Sequence, residues 1–267
     1  MESEILKRLE QLTGHISFYY ENLETGDVIG YKEEEPLMAA SVIKLFIMTA
    51  IFDRLEREDI CKENSYKKSF SEQTVISVKR EDCVPSCGAL TYLHDGILVT
   101  VMDLLTLMII FSDNTATNVL IDILGIEEIN KTIQRLGFEK TILQRKMFDL
   151  EKSNRGIQNY ITAGEVGRLL KMMYKGSLIS GRASEKMISI MKNQQLESKI
   201  PFYLKAIPDG PEIAHKTGED RGISHDVGII YGKEPFIVCF CGNETDTPRF
   251  DRVMADISLE LYQEVNG

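Results

Sequence analysis

The sequence predicts a two-part α/β and all-α architecture, in which both chain ends build an antiparallel sheet with terminal helices and a helical domain is inserted between them. Two observations predict it. Strand patterns at the start give way to a long succession of helical patterns and then return near the end. The 267 residues are 43% hydrophobic, enough for a substantial core. The predicted parts are 1–44 with 195–267 (α/β) and 45–194 (helical), and the cleft between them is the natural ligand site. No internal repeat, low-complexity tract or Pro/Gly/Ser-rich linker interrupts the chain.

The opening "MESEILKRLEQ" has the spacing of an acidic amphipathic helix. "HISFYYE" at 15–21 and "DVIGY" at 27–31 flank "NLETG" and predict a hairpin with a glycine-containing turn. From Ser41 an apolar helix follows. "VMDLLTLMIIF" at 101–111 and "TATNVLIDIL" at 115–124 read as apolar helices, and 126–136, 162–175 and 182–193 as further ones. Strands return at 212–216, 225–231 and 235–241, and a final helix spans about 249–264.

Thirty-one basic residues against 41 acidic ones give a net charge of −10, which repels phosphates and argues against nucleic-acid or anionic-membrane partners. A small-molecule substrate carrying a carboxylate or amide fits better. No stretch approaches the roughly 20 apolar residues that cross a bilayer. The acidic start differs from an export signal, and five cysteines cannot all pair within one chain, so the expected compartment is a reducing cytoplasm unless the start has been trimmed. Neither close cysteine pair, Cys83/Cys87 or Cys239/Cys241, has zinc spacing, and the four histidines form no cluster, so no metal or other cofactor is expected. In "FIVCFCGN" the cysteines alternate along an apolar strand and read as packing.

Three strings carry chemistry: Ser41-Val42-Ile43-Lys44, Ser112-Asp113-Asn114 and Lys216-Thr217-Gly218. The first pattern arises by chance about once in a chain this size, and Ser65 with Lys68 and Ser189 with Lys192 also match. Each of the other two is expected about 0.05 times per chain, so the ordered trio is roughly a one-in-several-hundred coincidence. Residues three apart share a helix face, so Ser41 and Lys44 are expected to point the same way.

With these strings the chain resembles the class A β-lactamase-like serine hydrolases of the serine β-lactamase and penicillin-binding protein superfamily. The likeness extends through "FSDNTATNVLID" at 111–122, "AHKTG" at 214–218 and "SHDVGIIYG" at 224–232. It implies a β-lactamase/transpeptidase-like fold and an acyl-enzyme on Ser41 formed from an amide or ester, β-lactams among the candidates. The alternatives are a DD-peptidase or a sensor that is acylated once and read by a partner. It further implies that Lys44 activates Ser41, that Ser112 passes a proton to the leaving nitrogen, and that Asn114 holds a substrate amide. The backbone N–H groups of Ser41 and Glu219 would form the oxyanion hole, while Lys216, Thr217 and Arg221 attract a carboxylate and the strand at Gly218 receives the acyl chain.

Lys44 can act as a base only when neutral, which at its ordinary pKa would cost about 4.6 kcal/mol at pH 7. Burial under "LFIMTAIF" and the second cation Lys216 are expected to lower that pKa. Asp113 is expected to brace its turn, and His215 to pack on the strand face opposite Lys216. Class A β-lactamases carry E-x-x-x-N on a loop closing the cleft, and the corresponding stretch 144–160 lacks it. An ungapped count back from Thr162 puts Lys146 near the missing glutamate, and Asp149, ahead of Glu151, is the candidate replacement base.

Overall fold

The computed structural model describes residues 1–61, 70–85 and 87–266. Helix α1 (Glu2–Glu10) buries Ile5 and Leu9 and leads into β1 (His15–Asn22) and β2 (Val28–Tyr31). The two-residue strand β3 (Leu37–Met38) and a 3-10 turn (Ala40–Ile43) precede α2 (Lys44–Cys61). A small hairpin of β4 (Val75–Val78) and β5 (Ile97–Thr100) introduces α3 (Val101–Ile110), α4 (Asn114–Leu124), α5 (Ile126–Arg135) and α6 (Leu150–Asn154). Strand β6 (Tyr160–Ile161), α7 (Ala163–Tyr174), α8 (Gly181–Lys192) and α9 (Pro201–Leu204) complete the middle. The chain closes with β7 (Ile213–Asp220), β8 (Ile223–Ile230), β9 (Phe236–Asn243) and α10 (Thr247–Asn266).

The five main strands form one antiparallel sheet in the order β2-β1-β9-β8-β7. Both chain ends therefore build it, with β1 against β9 in the register Phe18↔Phe240. The period-2 alternation of β9 divides its side chains between two cores. Phe236, Val238 and Phe240 pack with α1 and α10, and Ile237, Cys239 and Cys241 pack with the helical middle. Burial pushes both thiols above their ordinary pKa, as expected of packed cysteines.

Helix α2 is the axis of the helical core. From Val42 to Phe52 every side chain is buried, so this part has no solvent face to display amphipathicity. Side-chain caps fix the starts of its neighbours: the Asp103 N–H donates to Thr100 Oγ1 at 3.1 Å, Glu165 N–H to Thr162 Oγ1 at 3.1 Å and Ala183 N–H to Ser180 Oγ at 3.0 Å.

The expected strand at 212–216 differs in length from β7, which runs on to Asp220. Its last residues, Glu219 and Asp220, pair with Ser224 and Ile223 across a tight turn whose Gly222 has φ +70°. Lys216-Thr217-Gly218 thus lies inside an edge strand rather than at its end. The helix expected from Ser41 also differs: Ser41 occupies the 3-10 turn and the α-helix begins at Lys44. Among the described residues, no helix is long and apolar enough to cross a membrane, and no group of His, Cys, Asp or Glu is placed to hold a metal ion.

Candidate active site

Ser41 is delivered by an unusual piece of backbone. The preceding Ala40 has φ +40°, a left-handed conformation in which its Cβ is strained. The apolar residues after Ser41 anchor the turn, because Val42 and Ile43 are fully buried and pull Lys44 inward with them. Gly218 on β7 allows the turn to approach the sheet: a Cβ there would lie 2.9 Å from His225 Cδ2 and 3.1 Å from Val42 Cγ2.

Ser112 sits between α3 and α4 with φ +56°. Asp113 secures this loop, as expected, by capping α4. Its carboxylate accepts the N–H of Ala116 at 2.9 Å, of Ala89 at 2.7 Å and of Leu90 at 2.9 Å.

The three strings meet around Ser112. Lys44 Nζ, fully buried, donates to Ser112 O at 2.7 Å, Ser112 Oγ at 3.0 Å and Asn114 Oδ1 at 2.8 Å. Lys216 Nζ, also fully buried, donates to Ser112 Oγ at 3.0 Å and Thr217 O at 2.7 Å. One hydroxyl thus lies between two amines. Burial lowers the Lys44 pKa to about 7, opposed by the nearby carboxylate of Asp113. Burial also pushes Lys216 well below its ordinary value, and the charge on Lys44 adds to that. No hydrogen bond joins Lys44 directly to Ser41 among the described residues; its donors are turned toward Ser112 and Asn114 instead.

A cleft of about 640 Å³ opens on this group. Met38, Ala40 and Ser41 form one wall, and Cys87 and Asn114 lie beside them. The loop 145–159 supplies Arg145, Met147, Phe148 and Leu150, and the β7–β8 turn supplies Glu219, Asp220, Arg221 and Ile223. Lys44, Ser112, Lys216, Thr217 and Gly218 are buried and do not line the cleft. The edge strand β7 leaves one row of backbone groups without a strand partner.

The loop differs from the expectation. Asp149 does not line the cleft: its carboxylate caps α6, accepting the Lys152 N–H at 3.0 Å. Glu151 is exposed and lies 3.8 Å from Arg155. Lys146 turns outward to an ion pair with Asp122, and it is the next residue, Met147, that faces the cleft. Asn118 fixes Met147 through both backbone groups, accepting its N–H at 2.8 Å and donating to its carbonyl at 2.9 Å. The Arg145 guanidinium is held by Gln158 Oε1 at 2.7 and 3.0 Å.

Sequence reasoning also missed Cys87, whose Sγ lies 3.3 Å from Ser112 O and accepts a weak contact from Asn114 Nδ2 at 3.6 Å. No local pattern marks that residue. His215 packs under the sheet, its Nδ1 2.9 Å from Asp226 Oδ1. Of the two other S-x-x-K matches, Ser189 and Lys192 lie on α8, where Lys192 pairs with Glu212 at 2.6 Å, and Ser65 and Lys68 fall outside the described residues.

A sequence model of the Beta-lactamase enzyme family matches residues 1–265. The chain is 23% identical over 261 residues to Beta-lactamase ROB-1 of Haemophilus influenzae, covering 95% of this chain and 80% of that protein. Its structure is similar to that of a beta-lactamase from Sphaerobacter thermophilus DSM 20745, with a TM-score of 0.85 and 26% identity, covering 98% and 96% of the two chains. PBP-A has the same fold, with a TM-score of 0.84 and 23% identity over 99% and 95% of the two chains.

Proposed function

Because the chain belongs to the Beta-lactamase enzyme family, we propose that this serine hydrolase uses Ser41 to open a β-lactam, or to cleave a comparable amide or ester, through an acyl-enzyme. One observation supports the assignment of roles: Lys44, one turn after Ser41, and Lys216 both donate to the Ser112 hydroxyl. A serine needs a base to remove its proton during attack, and an amine whose pKa is about 7 is available as one at neutral pH.

In this reading Ser41 Oγ bonds to the substrate carbonyl carbon while its proton passes to the neutral Lys44. The tetrahedral oxyanion is received by the backbone N–H groups of Ser41 and Glu219. As the C–N bond breaks, Ser112 Oγ gives its proton to the leaving nitrogen and is reprotonated by the Lys44 ammonium. Asn114 Nδ2, whose partner among the described residues is a weakly accepting thiol, turns to a substrate carbonyl. The exposed Arg221, which lines the cleft, attracts a substrate carboxylate with the buried Lys216 and Thr217 adding to the local field, and the edge of β7 receives the acyl chain. Asp149 has no part in this scheme, since its carboxylate caps α6 and does not line the cleft.

Met147 favours a second reading. With a thioether facing the cleft, acylation outruns deacylation, and the protein behaves as a penicillin-binding peptidase or a singly acylated sensor. Incubation with penicillin and a chromogenic cephalosporin, followed by intact mass and colour, tests both. A Ser41 adduct is expected; fast colour release identifies a lactamase and a lasting adduct the second reading. If neither compound nor a simple activated ester ever modifies Ser41, the nucleophile assignment is wrong.

A further inference from the structure

Three residues before Ser41, both peptide groups of Met38 are gripped by buried side chains from other strands. The Met38 N–H donates to Asn243 Oδ1 at 2.8 Å. Its carbonyl accepts from His225 Nε2 at 2.8 Å and from Asn243 Nδ2 at 3.3 Å. The histidine is fixed in one tautomer, because the Gly242 N–H donates to Nδ1 at 3.0 Å and leaves the ring proton on Nε2. Burial lowers the His225 pKa to about 4, so the ring is neutral at neutral pH.

The next residue is held as well, its Ala39 N–H donating to Asn159 O at 2.8 Å. The chain then enters Ala40 at φ +40°. A residue with a Cβ stays in that region only where its surroundings over-determine it. Immediately beyond lies Ser41, whose backbone N–H and hydroxyl both face the cleft in the acyl-enzyme reading.

We propose that His225 and Asn243 are positioning residues that clamp Met38, hold Ala40 left-handed and thereby aim Ser41 at its substrate. Neither lines the cleft, so they act through the backbone rather than on the substrate. Buried polar side chains that serve packing alone need only some partner. Here two residues from adjacent strands, β8 and β9, converge on the two peptide groups of one residue. The absent side chain of Gly218 makes room for the imidazole beside the Ser41 turn. The inference rests on Ser41 being the nucleophile.

The test is the rate of Ser41 acylation by p-nitrophenyl acetate, followed by intact mass and phenolate release. His225→Leu is expected to slow acylation at saturation by about 10- to 100-fold while changing KM by less than twofold, the pattern of a misaimed nucleophile. Adding Ala40→Gly is expected to recover about tenfold, because glycine reaches φ +40° without the clamp. A purely structural histidine would not be rescued by a glycine next to the nucleophile. Asn243→Ala, with and without Ala40→Gly, repeats the comparison from the other strand should His225→Leu fail to fold. Variants acylated within twofold of wild type, or a slowed variant that Ala40→Gly leaves unimproved, overturn the clamp while the nucleophile assignment stands. Wild-type protein that is never acylated overturns both.

Discussion

The Lys44 amine makes a quantitative prediction about pH. Burial brings its pKa from 10.5 to about 7, so the neutral fraction rises from about 9% at pH 6 to about 91% at pH 8, a tenfold change. If the neutral amine accepts the Ser41 proton, the acylation rate with an activated ester follows that curve and levels off above about pH 8. An amine at its ordinary value would be neutral in only about 0.03% of molecules at pH 7, and the rate would climb roughly tenfold per unit to beyond pH 9. The observed midpoint belongs to the pair of lysines joined through Ser112 rather than to Lys44 alone. Stopped-flow release of p-nitrophenolate between pH 5 and 10 measures it. Stability must respond in the same direction. Between about pH 7 and 10.5 the unfolded chain keeps the Lys44 proton that the folded chain has lost, so stability rises with pH across that window by about 1.4 kcal/mol per unit. Below pH 7 the cost of burying the charge is present in full. Lys216, also lowered, acts with the same sign. A rate that is flat from pH 5 to 9, or that still climbs log-linearly above pH 9, refutes the argument.

Two further outcomes follow from the cleft. Met147→Glu puts a carboxylate in the wall of the cleft that Ser41 also lines, and with the backbone still held by Asn118 it should speed decay of the acyl-enzyme by about a hundredfold; decay of the intact-mass adduct measures it, and an unchanged lifetime contradicts the placement. Ser112→Ala removes the hydroxyl between the two lysines, so acylation by a β-lactam should fall by about 100-fold or more while acylation by p-nitrophenyl acetate, whose leaving group needs no proton, falls far less; equal losses on both substrates would show that Ser112 does not serve the leaving nitrogen.

Much of this arrangement was legible because it is written locally. The alternation of Phe236-Ile237-Val238-Cys239-Phe240-Cys241 assigns each side chain to one face of a strand, and those faces are the two cores. Thr100, Asp113, Thr162 and Ser180 stand where helices start because their side chains satisfy the N–H groups there. What stayed hidden depends on distant partners. The strands β3 and β6 are two residues each and exist only because Leu37 meets Ile161 and Met38 meets Tyr160. The ungapped count to Lys146 was one residue from Met147, and in an irregular loop one residue decides between an ion pair with Asp122 and the cleft wall. Asp149 stood two residues beyond that, and Asp-Leu-Glu-Lys is also how a short capped helix begins. Nothing local distinguishes His225 from any other strand histidine, because its partners, Met38 and Gly242, come from both ends of the chain.

In the acyl-enzyme reaction proposed above, the placement of Ser112 decides what the two half-reactions can share. Lys44 and Lys216 cannot both carry a proton easily, because each is fully buried and the charge on Lys44 lowers Lys216 further. Taking the Ser41 proton therefore leaves the pair in its less favourable state, and the proton must move on. Among the described residues, the Ser112 hydroxyl, 3.0 Å from each amine, accepts from both. Delivery to the leaving nitrogen returns the lysines to the state from which they began. Only then is an amine again free to accept a proton from water, and the loop facing Ser41 offers Met147, Phe148 and Leu150 rather than a carboxylate to do so independently. Departure of the first product and attack on the acyl-enzyme thus draw on the same pair of amines in turn, so one pH dependence should govern both steps.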